Sequence, residues 1–280
     1  MTGEVLNIDV ILDMGDTYFI PYYMKSICRV LTDNHCNFIV SDSKNSTGEI
    51  CALLKNILQK GTSGVILQPS HKNEPVSPEL AECLRMCRNA GIPYLMIDSA
   101  YDLPDTSYLM LDEYSGGYMA AEYLLDLGHT HSAAVYMKEY KDSVLRLRGF
   151  CAAFAQKGLE APACLPYDAN FEEALMQILQ IQKPTALFCY NDEVAVACIR
   201  VLSSRGIRVP DELSVLGFDD SVLAAACQPQ LTTIAHPKQV LGELSARTLL
   251  DMIYERQTWP YVKIFSPSLI VRDSCRKISI

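Results

Sequence analysis

Basic charge is in short supply in this chain: 24 Lys and Arg stand against 33 Asp and Glu, a formal net charge of −9 over 280 residues. Nucleic-acid affinity comes largely from neutralising phosphates, so this stretch is not expected to grip DNA by itself. No apolar run approaches the about 20 residues that span a bilayer, and no charged-then-apolar leader opens the chain. Neither membrane contact nor secretion is expected. A disulfide framework is missing as well, because the 11 cysteines are odd in number, scattered from Cys28 to Cys275, and often sit in apolar runs. That usage suits a reducing, cytoplasmic compartment.

Catalytic signatures are equally scarce. There is no G-x-S-x-G, H-E-x-x-H or C-x-x-C, and Gly116-Gly117 belong to no G-x-G-x-x-G or phosphate-cradling loop. Cys83-x-x-x-Cys87 and His129-x-His131 come nearest to metal spacing, yet each lacks a matched second pair. Carboxylates abound, but a glycoside hydrolase needs two flanking the scissile bond at a separation that sequence does not supply. The expectation is no enzyme, no metal and no cofactor, with a carbohydrate hydrolase as the enzyme-class alternative.

What is present is a regular alternation. With 49% hydrophobic and 20% charged residues the chain can bury one large or two medium cores. Short apolar runs alternate with helical spacing: strand 5–12, helix from 19, strand 38–40, helix 47–59, strand 64–67, helix 77–89, strand 93–97. After His131 the same grammar restarts with strand 132–137, helix 142–157, a weak strand near Cys164 and helix 170–181. It ends in strand 186–189, a helix stopped by Gly206, and strand 213–218. Such alternation predicts right-handed βαβ crossovers and parallel sheets covered on both faces. Two successive halves predict two doubly wound lobes with a ligand cleft. At the carboxyl ends of strands 186–189 and 213–218 stand Asn191 and Asp219, an amide beside a carboxylate, which suits the hydroxyls of a sugar.

The segments FCYNDEVA, GIRVPDELSVLGFDDS, LTTIAHP, SGVILQP, GIPYLMID, LDEYSGGYMAAEYLLDLGHTH, RLRGF and PSLIVRDSCRK resemble, in combination and over nearly the whole chain, the effector-binding domain of the LacI family of bacterial transcription regulators. They look most like its arabinose-responsive branch, and more distantly like periplasmic sugar-binding proteins of the same fold. The resemblance implies a type I periplasmic-binding-protein-like α/β architecture with a three-segment hinge near Gly128, His236 and Ile264. Residues 1–130 with 237–263 would form one lobe, and 131–236 with 264–280 the other. It also implies a sugar effector, with L-arabinose leading, held between the lobes. Operator DNA would be met only through an N-terminal DNA-binding domain that these residues do not contain, in a homodimer that binds paired half-sites. A solute-binding protein of a sugar uptake system is the alternative.

The implied ligand residues are Tyr18, Phe19, Asp98, Arg146, Asn191, Asp219 and His236. Each has a plainer role beside it. Phe19 also begins a helix's core stripe, Asp98 also suits a turn, and His236 also suits a linker. Arg146 in RLRGF has a planar fork that donates to sugar oxygens, with Arg148 turned to solvent. Truncating Arg146 is expected to cost about 2–4 kcal/mol of affinity and little stability. Asp192 and Asp220 are expected to cap or orient, as is at least one of Asp112 and Glu113 at the head of a helix. Apolar residues in helices 50–58 and 80–87 and around 223–231 suit either pairing or an ordinary core.

Overall fold

The computed structural model describes residues 5–15 and 19–278, so Tyr18 lies outside the described residues. The chain divides into two units: one runs to Leu111 and includes Pro237–Phe265, and the other is Asp112–His236 with the segment from Ser266 onward.

The first unit opens with β1 (Asn7–Leu12), α1 (Ile20–Asp33), β2 (Asn37–Asp42), α2 (Thr47–Lys60), β3 (Gly64–Leu67), α3 (Pro78–Asn89), β4 (Tyr94–Asp98) and β5 (Tyr108–Leu111). The helices start where the sequence provides caps. Ser46 Oγ accepts from the Glu49 amide at 3.4 Å, and Ser77 Oγ from the Leu80 amide at 3.2 Å with Pro78 behind it. Ile20, Tyr23, Ile27, Val30 and Leu31 form the buried stripe of α1.

The second unit runs α4 (Glu113–Asp126), β6 (Ser132–Tyr136), α5 (Lys141–Gln156), β7 (Ala163–Pro166), α6 (Phe171–Ile181), β8 (Ala186–Cys189), α7 (Asp192–Ser204), β9 (Ser214–Asp219), α8 (Val222–Ala226) and β10 (Thr232–Ala235). The chain then returns to the first unit with α9 (Lys238–Ile253) and β11 (Val262–Phe265), and ends in the second with β12 (Ser268–Ile270).

Each unit holds a 6-stranded sheet, ordered β11-β5-β4-β3-β1-β2 and β12-β10-β9-β8-β6-β7. All neighbouring strands are parallel except β12, which runs antiparallel to β10. β3, β4, β8 and β9 are buried along their whole length, the signature of parallel strands covered by helices on both faces. The order reverses between β1 and β3 and again between β6 and β8. Ligands of open α/β sheets gather at the carboxyl ends beside such switch points.

The first crossover differs from the one expected near Gly128: α4 belongs with the second unit. The reason is a pair of glycines. A Cβ on Gly117 would lie 1.8 Å from the Arg146 carbonyl oxygen, and one on Gly149 1.9 Å from that of Tyr114. α4 and α5 therefore lie backbone against backbone, a contact that spacing does not reveal. The apolar residues considered for pairing in α2 and α3, Ile50, Leu54, Leu80 and Leu84, are core residues at 1% exposure or less.

Candidate functional site

The strongest cluster lies at the carboxyl edge of the second sheet. On α5 the buried positions are Ser143, Arg146, Gly149, Phe150, Ala153 and Phe154, so a guanidinium sits on the inward stripe among apolar neighbours. Phe150 stacks on Phe188 of β8, with centroids 4.7 Å apart, which fixes the helix on the sheet. Arg146 is 4% exposed and lies over the ring of Phe218 on β9, 3.7 Å from its centroid. The space beneath that ring exists because a Cβ on Gly116 would fall 2.6 Å from Phe218.

Charge surrounds the guanidinium. Nε donates to Glu113 Oε2 at 2.5 Å and Nη1 to the Tyr190 carbonyl at 2.6 Å, while Asp219 Oδ1 lies 3.1 Å from Nη1. Burial opposes the charge on Arg146, but Glu113 and Asp219 outweigh it and raise its pKa further. Burial pushes the Glu113 carboxyl up to about 7 against the pull of the guanidinium. With Nε and Nη1 engaged, the Nη2 amino group makes no hydrogen bond among the described residues. The two Nη2 hydrogens therefore remain as donors on a guanidinium held by its other contacts.

Asn191, expected at the ligand, and Asp192, expected to cap or orient, both hold the backbone. Asn191 is the N-cap of α7, its Oδ1 accepting from the Val194 amide at 2.9 Å. Asp192 is fully buried and accepts from the Ser221 amide and Thr233 Oγ1, both at 2.6 Å. Burial, with Asp219 nearby, raises its pKa to about 7. It ties together the loops after β8 and β9. Asp220 pairs with Arg272 at 2.6 Å. His236 follows β10, is 5% exposed, and donates its amide to the Asp219 carbonyl at 3.3 Å. At the head of α4 the two acids also separate: Asp112 caps, accepting from the Ser115 amide at 2.9 Å, and Glu113 turns inward to Arg146. Arg148 is exposed.

The first unit carries its own polar cluster at the matching edge. Asp98 ends β4 with φ 72°, as Asp219 ends β9 with φ 104°. Positive φ on a non-glycine residue is costly, and such strain gathers at functional positions. Gln68, just past β3, donates to Asp98 Oδ2 at 3.2 Å and accepts from the Asp13 amide at 3.0 Å. His71 Nε2 lies 3.4 Å from the same Asp98 oxygen. Phe19 is half-buried against the core around Tyr23, their rings 6.0 Å apart, with Lys238 Nζ 5.2 Å from its ring.

Glu113, Gln68 and His71 were not among the residues expected from sequence. Gln68 could have been found, since it is the first polar residue after an unbroken apolar strand. Glu113 could not be separated from Asp112 without the helix packing. The structure also corrects the expectation that truncating Arg146 changes stability little: its loss would take the guanidinium from two buried carboxylates, Glu113 and Asp219.

The chain is similar to known proteins. The family described as "Periplasmic binding protein-like domain" matches residues 121–275. An arabinose metabolism transcriptional repressor of Geobacillus stearothermophilus is 30% identical over 98% of this chain and 78% of its own length. A LacI family transcriptional regulator from Enterococcus faecium, solved with bound ribose, superimposes with TM-score 0.81 and 25% identity over 98% of this chain and 100% of that one. The lac repressor dimer bound to operator and an anti-inducer superimposes with TM-score 0.83 and 22% identity, over 98% and 96%.

Proposed function

Because the chain belongs to the LacI family of bacterial transcription regulators and carries its periplasmic-binding-protein-like domain, we propose that it is the sensor of a cytoplasmic repressor that binds a neutral sugar, L-arabinose first among candidates. The Arg146 cluster carries this reading. Arg146 Nη2 makes no hydrogen bond among the described residues, which leaves two donors for a ring or hydroxyl oxygen. Two carboxylates, Glu113 and Asp219, already offset the single guanidinium, so no positive surplus is left for a phosphate. The effector residues are Arg146, Asp219, Asn191 and His236 in the second unit and Asp98 and Phe19 in the first, with Gln68 orienting Asp98. Arabinose is favoured by the named Geobacillus relative, and a pentose more broadly by the ribose complex.

Sugar relieves repression by favouring one of two conformations that differ in operator affinity, which requires different sugar affinities for the two. Operator contact is assigned to a part of the protein outside these two acidic units, and the working assembly to a homodimer, as in the lac repressor complex. Calorimetric titration with L-arabinose, D-ribose, several hexoses, a phosphorylated sugar and a nucleobase tests the reading. Saturable heat with a neutral pentose is expected. Binding of the phosphorylated sugar or the nucleobase alone would overturn it.

A further inference from the structure

The sensor reading gives His71 no part, although its ring lies against Asp98, a residue which that reading assigns to the effector. The loop that carries His71 is held from two sides. The His71 amide donates to Asn45 Oδ1 at 2.9 Å, and Ser70 Oγ to the same oxygen at 3.0 Å. The Ser70 amide donates to the Tyr101 hydroxyl at 3.1 Å. The imidazole is thereby kept beside the Asp98 carboxylate, with Nε2 3.4 Å from Oδ2 and the two side chains 14% and 6% exposed. A backbone group fixes the protonation of that nitrogen. A main-chain N–H can only donate, so the Asp13 amide, 3.0 Å from Gln68 Oε1, decides which end of the Gln68 amide is oxygen. The other end, Nε2, carries two hydrogens, one reaching Asp98 Oδ2 at 3.2 Å and the other His71 Nε2 at 3.0 Å. A ring nitrogen that accepts carries no proton, so His71 in this arrangement is neutral and protonated on Nδ1.

In the imidazolium, Nε2–H would face the Gln68 amino group donor against donor, with Asp98 Oδ2 as an acceptor in reach. We propose that His71 is a positioning residue for the effector, acting through Asp98. Neutral, it pins the Gln68 amino group and leaves Asp98 to accept from a sugar hydroxyl; protonated, it displaces Gln68, takes Asp98 as its own partner and lowers sugar affinity. This rests on the sensor reading, which places Asp98 at the sugar. Asp98, at the end of β4, faces the ring as a carboxylate. Asp13, after β1, turns Oδ1 to the Gly15 amide at 3.1 Å. After β2, Asn45 is uncharged, and Lys44 pairs with Glu49 of α2 at 3.0 Å. In the loop of His71 itself, Lys72 is exposed and Glu74 accepts from Thr47 Oγ1 at 3.2 Å. Histidine changes charge between about pH 5 and 8, and a carboxylate partner favours its charged form. Sugar affinity should therefore be highest at the alkaline end of that range and fall as the ring gains its proton.

The test is calorimetric titration of the whole chain with L-arabinose or D-ribose, whichever gives heat, at the two ends of the range from about pH 5.5 to 8. Wild type should bind roughly tenfold more weakly at the acid end, the effect of a weakened hydrogen bond to a charged group. Glu113 and Asp192 titrate over the same range, so the comparison is with His71→Gln. Its side-chain oxygen accepts where Nε2 does and takes no proton, so that variant should keep only the slope those two acids give. Heteronuclear NMR spectra of the histidine rings, recorded without sugar, should show His71 Nε2 unprotonated at the alkaline end. In Asp98→Asn, the same ring should become charged only at lower pH than in wild type. If His71→Gln fails to fold, these spectra decide. The proposal is overturned if wild-type affinity changes with pH no more than that of His71→Gln, if Nε2 carries the proton at the alkaline end, or if Asp98→Asn leaves the titration of His71 where it was. Absence of heat with every sugar at both ends would overturn the sensor reading, whereas the spectra bear on His71 alone.

Discussion

Replacing Arg146 with alanine would remove the guanidinium between Glu113, 2.5 Å from Nε, and Asp219, 3.1 Å from Nη1, and would leave both carboxylates in the space it had desolvated. Breaking a buried ion pair from one side costs about 3–5 kcal/mol, most of it the stranded charge. The penalty depends on pH with a definite sign. Glu113 already has a folded-state pKa raised from 4.5 to about 7, so the folded protein holds a proton that the unfolded chain releases. Stability from this group is therefore greatest below about pH 4.5, falls as pH rises, and levels off above about 7. Without the guanidinium the folded pKa moves higher, and the decline continues past 7. The gap between wild type and Arg146→Ala should thus widen from pH 6 to about pH 9, at up to ~1.4 kcal/mol per unit. Urea unfolding followed by far-ultraviolet circular dichroism at both pH values measures it. Arg146→Ala/Glu113→Gln should recover much of the loss at high pH but none of the sugar affinity. A variant as stable as wild type at pH 9, or a gap that does not change with pH, would refute the account of a buried, charge-balanced cluster.

Gly117→Ala places a methyl 1.8 Å from the Arg146 carbonyl oxygen; forcing α4 from α5 should cost about 3 kcal/mol or more and weaken sugar binding, seen as a lower melting temperature and a right-shifted titration. Asp192→Asn removes a group whose pKa is raised from 3.8 to about 7, so the fall in stability between those pH values should become shallower in urea titrations. Asp98→Asn keeps a residue that tolerates positive φ but replaces the acceptor facing Gln68; it should lose roughly tenfold in sugar affinity, about 1.4 kcal/mol, with a melting temperature close to wild type. Sedimentation over a wide concentration range, with and without arabinose, should show a monomer–dimer equilibrium; a monomer at every concentration would remove dimerisation from these two units.

Much of this protein was legible because local rules and tertiary structure agree. Apolar runs such as 64–67 and 186–189 match β3 and β8 residue for residue, since a parallel strand covered on both faces must be apolar throughout. The helix starts near 47 and 77 were legible because the caps Ser46 and Ser77 act within three residues. β5, β10, β11 and β12 were not legible. β11 is nearly all exposed and β12 is 3 residues long, so neither carries a pattern, and each exists because a neighbouring strand offers its edge.

The site shows the same division. Sequence by itself determined that Asp98 and Asp219 stand at the carboxyl ends of strands, because strand polarity is a local property. It also singled out Arg146 through the RLRGF segment. Only the tertiary structure decided that Glu113 rather than Asp112 pairs with Arg146, that Asn191 caps while Asp192 ties two loops together, and that α4 joins the second unit. Each of these depends on which backbone lies against which. That contact is set by Gly117 and Gly149, side chains absent from helices 33 residues apart at the Arg146–Glu113 hydrogen bond, and an absent atom leaves no periodicity to read.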